Sequence, residues 1–293
     1  MRDPFPAIQR LKRLATPLAE SLSLRTLPLH AHEILLAFAF YNLLNIYISP
    51  FLSRRLARRT YDALTERTRT NWNARIVSLV QSTVVNTAAL WVIFYDRERW
   101  AMDAGQRVWG YTGSMGMVQA LSAGYFMWDL MAASMRPDIH GPGAIAHAAA
   151  ALAVSLLGFV RRPFCNYYGI NFVLYELSTP PLNFHWFMDK FGMTGSTPQL
   201  INGIVLLISF GGSRLVWGTY QNANMYSDIW HAYNTPGGLP VPPWLAAIYM
   251  LASATLTGLN VLWFGKMIQA LMARFKGEAR RMDEDDEPRD KDK

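Results

Sequence analysis

About seven apolar stretches of roughly twenty residues, divided by short charged segments, limit what this chain can fold into. A helix of that length spans a bilayer core about 30 Å thick. The charges are segregated into the first thirty residues, the segment Arg54–Arg75 and the tail after Lys266. Mean hydropathy is therefore only +0.07 although 51% of the residues are hydrophobic. The pattern predicts an all-α, polytopic membrane bundle of about seven transmembrane helices.

The expected spans are 32–52, 76–95, 115–135, 144–160, 165–187, 200–220 and 244–264. Residues 1–29 read as a basic amphipathic tail lying on the membrane surface, with Ile8, Leu11, Ala15 and Leu18 on one face and Arg10, Lys12 and Arg13 on another. Prolines interrupt this tail, so it presents no signal-peptide core. Residues 30–67 read as the first span and an arginine-rich loop. Residues 68–270 read as the main transmembrane domain, and 271–293 as a charged, disordered tail. Residues 221–243 read as a polar, proline-rich loop.

The single Cys165 excludes an internal disulfide and any paired-cysteine metal or redox motif. The net charge of +7 flanks apolar spans, which suits anionic headgroups and not nucleic acid. If all seven runs span, about ten Lys and Arg lie on the side of the N-terminus and about sixteen on the other. The positive-inside bias then puts the C-terminal tail in the cytosol. Lys291 and Arg289 near the end resemble a dilysine-type retrieval signal of the endoplasmic reticulum.

Polar residues at membrane depth mark the candidate site, because they are costly there and face a partner or a cavity. Glu176 sits in the run FVLYELSTPPLNFHWF, whose Pro180-Pro181 removes two amide donors and bends or breaks the helix. Such a break is tolerated only where protein or a cavity covers the freed carbonyls. His147 lies one run earlier, Asp129 two runs earlier and Arg214 one run later. His147 with Glu176 forms one expected pair and Asp129 with Arg214, or with Arg136, another. Asn183 and Trp186 follow the double proline and are expected to line a cavity or anchor at the interface. No metal site and no bound cofactor are expected.

The motifs WNARIVSLVQSTVV (Trp72–Val85), YFMWDL (Tyr125–Leu130), YELSTPPLN (Tyr175–Asn183), WFMDKFGMTGST (Trp186–Thr197), Asn202-Gly203 and RLVWGTYQ (Arg214–Gln221) resemble the TLC domain. That module occurs in ceramide synthases and in membrane-lipid homeostasis proteins, and the resemblance covers about residues 68–270. It implies a TLC-type helical core and a lipid context. Ceramide synthases carry a His-His pair and a set of aspartates. The matching positions here are Ala146-His147, Tyr175-Glu176 and Thr179, so one His remains, Glu replaces one Asp and the other carboxylate is absent. The reading is therefore a protein of membrane-lipid homeostasis that binds or senses a lipid in a polar cavity, with Asp129, Arg214, Asn183 and Trp186 as lipid-binding residues. The alternative is an enzyme, an acyl-CoA-dependent lipid acyltransferase of ceramide type. There His147 would be base and Glu176 its orienter, and acyl-CoA would enter only as co-substrate.

Overall fold

The computed structural model describes residues 1–160, 162–235 and 241–286, with side chains through 273. The described residues fold as helices joined by short turns: α1 (Gln9–Ser21), α2 (Leu27–Leu56), α3 (Arg58–Ala63), α4 (Glu66–Tyr95), α5 (Arg97–Trp100), α6 (Ala104–Trp109), α7 (Gly113–Met135), α8 (Pro137–Leu157), α9 (Asn166–Val173), α10 (Thr179–Lys190), α11 (Thr197–Asn234) and α12 (Pro243–Asp286). Each of the seven apolar runs is helical. Among the described residues, five helices are long and apolar enough to cross a membrane: α2, α4, α8, α11 and the Pro243–Ala273 part of α12.

The two remaining runs owe their polarity to their place in the bundle. Helix α7 packs against α2, α4, α8 and α9. It buries Gln119, Ser122, Gly116 and Gly124, residues that would sit poorly against lipid. A β-carbon added at Gly124 would lie 2.5 Å from the Ile34 carbonyl oxygen and 2.7 Å from the Ala37 β-carbon. Glycine here is what lets α2 and α7 touch backbone to backbone.

The fifth run is split. α9 leads into a 3₁₀ turn, Leu174–Ser178, and α10 starts at Thr179 with Pro180-Pro181 in its first turn. The prolines thus begin a helix, where their missing N–H groups cost least. The adjacent turn tightens, and the Thr179 amide donates to the Glu176 carbonyl.

Two expected loops and part of the expected tail are helical. The arginine-rich segment is helical: α2 runs to Leu56, α3 follows, and α4 starts at Glu66, capped by the Thr65 hydroxyl. The stretch expected as a polar loop from Gln221 continues α11 to Asn234. Gln221, Met225, Asp228, Ile229 and Ala232 recur at helical spacing and are buried on one face. The tail expected to be disordered from 271 continues α12 to Asp286, in a segment rich in strong helix formers. Arg161, just after the fourth span, and the retrieval-like Arg289 and Lys291 lie outside the described residues.

Helix α8 kinks at Gly141, whose φ of +77° only glycine adopts at no steric cost. The kink lets one turn, starting at Pro137, leave the main axis before the alanine-rich stretch carrying His147.

Polar clusters mark the two ends of the bundle. At one end Trp72 Nε1 donates to Ser53 Oγ at 2.9 Å, and Trp72 packs on Trp186, Phe187 and Phe191. At the other, Arg107 grips Asp228 with two bonds of 2.6 and 2.8 Å, and Asp96 anchors the Met1 ammonium at 2.7 Å. Aromatic and basic residues at a helix end suit a membrane–water boundary.

Candidate functional site

The 3₁₀ turn has a chemical consequence. The Tyr175 carbonyl lies inside this turn and accepts from the Ser178 hydroxyl at 3.1 Å. Arg214 Nε donates to the same carbonyl at 3.0 Å and lies 2.9 Å from Ser178 Oγ. Its Nη1 donates to Asn260 Oδ1 at 3.2 Å and its Nη2 to Thr179 Oγ1 at 3.3 Å. Nη2 also approaches Glu176 Oε1 at 3.7 Å. Glu176 Oε2 accepts from Thr179 Oγ1 at 2.7 Å. Arg214 itself rises from a π-helical turn, Gly211–Trp217, a local widening often found at functional sites. The 3₁₀ turn before the double proline is thus held by a buried guanidinium, whose charge Glu176 offsets.

This pairing corrects two expectations. Arg214 pairs with Glu176, not with Asp129. Asp129 is half-buried, while Arg136 bonds Asp138 at 3.1 Å. Depth along the spans was the only guide to these partners, and it does not fix which faces of the helices meet. Glu176 is likewise held by Thr179 and Arg214. No hydrogen bond joins it to His147 among the described residues.

His147 and Glu176 nonetheless line one cavity of about 60 Å³, with Gln81, Ser122, Tyr175 and Asn260 among the polar walls. Phe126, Val154 and Leu256 supply apolar wall. Three polar atoms in this lining are buried and have no partner: Gln81 Nε2, Ser122 Oγ and His147 Nδ1. The Gln81 carbonyl is occupied by the Tyr41 hydroxyl, which turns its amide nitrogen free. The His147 ring is wedged edge-on between Phe126 and Trp263, at 5.9 and 5.5 Å between centroids. Ala146, next to His147, is exposed on the outside of α8.

Asn183 and Trp186 lie away from this cavity. Asn183 is buried, accepts from Arg75 Nη1 at 3.2 Å and donates to Ser78 Oγ at 3.2 Å. Trp186 sits under the Arg75 guanidinium at 4.8 Å and near Lys190 at 5.2 Å. They belong to the basic and aromatic end of the bundle. Sequence reasoning missed Gln81, Ser122 and Asn260. The signal for Gln81 lay in the polar residues of the second run, Gln81, Ser82, Thr83, Asn86 and Thr87, which also suit helix–helix hydrogen bonds.

An amide, a hydroxyl and an imidazole converging on a mostly apolar space can hydrogen-bond a polar group carried on a hydrocarbon body. General-base chemistry at His147 would lack the carboxylate orienter that such a base ordinarily uses.

Comparison with known proteins bears on the same residues. The TLC domain family model matches residues 71–269, more than half of the chain. A TLC domain-containing protein of Schizosaccharomyces pombe is 38% identical over 269 residues, covering 92% of this chain and 88% of its own length. Topoisomerase I damage affected protein 4 of Saccharomyces cerevisiae is 32% identical over 247 residues, covering 82% of this chain and 84% of its own. TLC domain-containing protein 4 of Homo sapiens is 24% identical over 234 residues, covering 79% and 85%. With its bundle of apolar helices, the chain is an integral, multi-pass membrane protein and belongs to the TLC domain family.

Proposed function

We propose that this protein acts in membrane-lipid homeostasis by binding or sensing a lipid whose polar group enters the intrabundle cavity. The observation that carries the reading is the set of unpartnered atoms, Gln81 Nε2, Ser122 Oγ and His147 Nδ1, around one space. Buried polar groups are almost always hydrogen-bonded, so three orphans around one cavity call for an occupant. A volume of about 60 Å³ takes a few waters, at ~10–15 Å³ each, or a headgroup fragment with the start of a chain. The occupant enters from the bilayer, with the C-terminus in the cytosol and the endoplasmic reticulum as the membrane. Nucleic acid has no part in it. The acyltransferase alternative is less well supported, because Glu176 is committed to Thr179 and Arg214.

The test is lipid retention. Full-length protein is purified in mild detergent and its bound lipid extracted and quantified, for wild type and for His147→Ala with Gln81→Leu. Wild type retains a defined lipid, and the double variant retains at least ~10-fold less, the equivalent of about 1.4 kcal/mol. Equal retention by a folded double variant sinks the binding reading. Lipid profiling of cells lacking the protein, rescued by wild type or His147→Ala, tests the alternative. A single lipid species restored only by wild type, made from acyl-CoA in vitro, would replace binding with catalysis.

A further inference from the structure

A separate cluster lies at the end of the bundle opposite the arginine-rich helices. His30 and Glu33 stand three residues apart on one face of α2, and Asp3 reaches them from the segment before α1. One donor atom from each lies within 4.8 Å of the others. His30 Nδ1 is 3.3 Å from Asp3 Oδ2 and 2.6 Å from Glu33 Oε2. Its other nitrogen, Nε2, meets the Tyr111 hydroxyl at 2.5 Å. His30 is 1% exposed and Glu33 4%. The second carboxylate oxygen, Glu33 Oε1, is buried and has no partner. Among the described residues no Arg or Lys pairs with Asp3 or Glu33, and the nearby Met1 ammonium is engaged by Asp96 and Glu98. The cluster opens on a cleft of about 350 Å³ lined by Met1, Phe5, Glu98 and Thr112.

From this arrangement we propose that Asp3, His30 and Glu33 bind a divalent cation of the zinc class, with one coordination position open to the cleft. One buried and one half-buried carboxylate against one imidazole leave negative charge that burial makes costly unless it is neutralised. One nitrogen and two oxygens suit zinc or a similar first-row metal, and three protein ligands leave a fourth, tetrahedral position for water. Ligands bound at about 2.0–2.1 Å on a tetrahedral ion stand roughly 3.4 Å apart. The His30–Asp3 spacing already matches this. The Glu33 contact is a hydrogen bond and opens by less than ~1 Å when metal replaces the shared proton. Tyr111 holds Nε2, as an oxygen partner does for most metal-bound histidines, and so aims the Nδ1 lone pair at the carboxylates. The metal would tie the N-terminal segment to α2, away from the lipid cavity and independent of what that cavity holds.

The experiment uses full-length protein purified without a polyhistidine tag, stripped with chelator and desalted into detergent buffer. Zn²⁺ is added, excess is removed, and metal per protein is measured by mass spectrometry. Co²⁺ is added in parallel and its visible absorption recorded. Wild type retains one equivalent and gives the intense bands of four-coordinate Co²⁺. His30→Gln and Asp3→Asn retain it at least ~10-fold more weakly. No stoichiometric metal on wild type overturns the site in favour of a protonated histidine between two carboxylates. Equal retention by Asp3→Asn, a change in the segment outside the helices, also overturns it even if His30→Gln does not fold.

Discussion

Arg214 and Glu176 meet at 3.7 Å, Nη2 to Oε1, and both also hold the Thr179 hydroxyl. The pair closes a buried polar network around the 3₁₀ turn that precedes the double proline. Removing one partner of a buried pair costs about 3–5 kcal/mol, because the other is left uncompensated. Arg214→Leu is therefore expected to lower the thermal midpoint sharply in detergent. Glu176→Gln is expected to cost less, since an amide oxygen still accepts from Thr179. A loss equal for both variants would mean that the fork of hydrogen bonds from Arg214 matters little.

The same network distinguishes arginine from lysine. Arg214 reaches Tyr175, Ser178, Asn260 and Thr179 from three nitrogens in one plane. A lysine ammonium is a compact point charge and cannot span those positions. Arg214→Lys should keep the charge yet recover only a minor part of the stability lost in Arg214→Leu. Differential scanning of the two variants side by side checks this; a lysine variant as stable as wild type would contradict it.

Which parts of this molecule the sequence discloses follows from what each signal depends on. Span length and charge segregation are set by the bilayer, so the seven helical stretches and the amphipathic α1 are readable one residue at a time. Residues 221–234 misread as loop because their Asn, Gln and Ser content masks a buried stripe, Met225, Ile229 and Ala232, that only packing reveals. His147 and Glu176 stand out because polar groups are rare at membrane depth. Their partners do not, since the choice among Thr179, Arg214 and His147 depends on helix rotation. The π-helical turn at Gly211–Trp217 sets that rotation for Arg214 and has no one-dimensional signature beyond its glycines.

Gly124 carries the closest helix approach argued above. A methyl group there meets the Ile34 carbonyl and the Ala37 side chain, neither of which is the end of a flexible chain. Overpacking of this kind costs about 1–3 kcal/mol. Gly124→Ala should lower the thermal midpoint without changing which lipid is retained, and Gly124→Leu should abolish monodisperse protein on size-exclusion chromatography.

Asp96 gives a pH dependence with a definite sign. It is fully buried just beyond α4 and accepts from the Met1 ammonium at 2.7 Å, from Thr112 at 2.6 Å and from Ser114 at 2.7 Å. Burial opposes its charge, but these hydrogen bonds outweigh burial and hold the carboxyl below its usual value of 3.8. A depressed carboxyl stabilises the fold above the unfolded value and loses that contribution as pH falls through the folded one. Asp96→Asn should therefore be less stable than wild type at pH 7, by about 1–3 kcal/mol. The gap should narrow only below about pH 3.8. A gap that is constant from pH 7 to pH 3 would show that charge at this position does not contribute.

Tyr41 tests whether the free amide of Gln81 serves a ligand or only the fold. Tyr41 is 2% exposed, donates to Gln81 Oε1 and packs edge-on against Tyr125 at 5.4 Å. Tyr41→Phe keeps the ring and removes the hydroxyl, leaving the Gln81 oxygen buried and unpaired at a cost of about 1–3 kcal/mol. Gln81→Leu removes both amide groups, so it leaves the Tyr41 hydroxyl unpaired and takes away the donor facing the cavity. The two variants should be destabilised alike. Lipid retention should fall several-fold in Gln81→Leu and much less in Tyr41→Phe, where the amide nitrogen still faces the space. If retention tracks stability in both, the Gln81 amide is a structural group, and the recognition of the lipid rests on Ser122 and His147 alone.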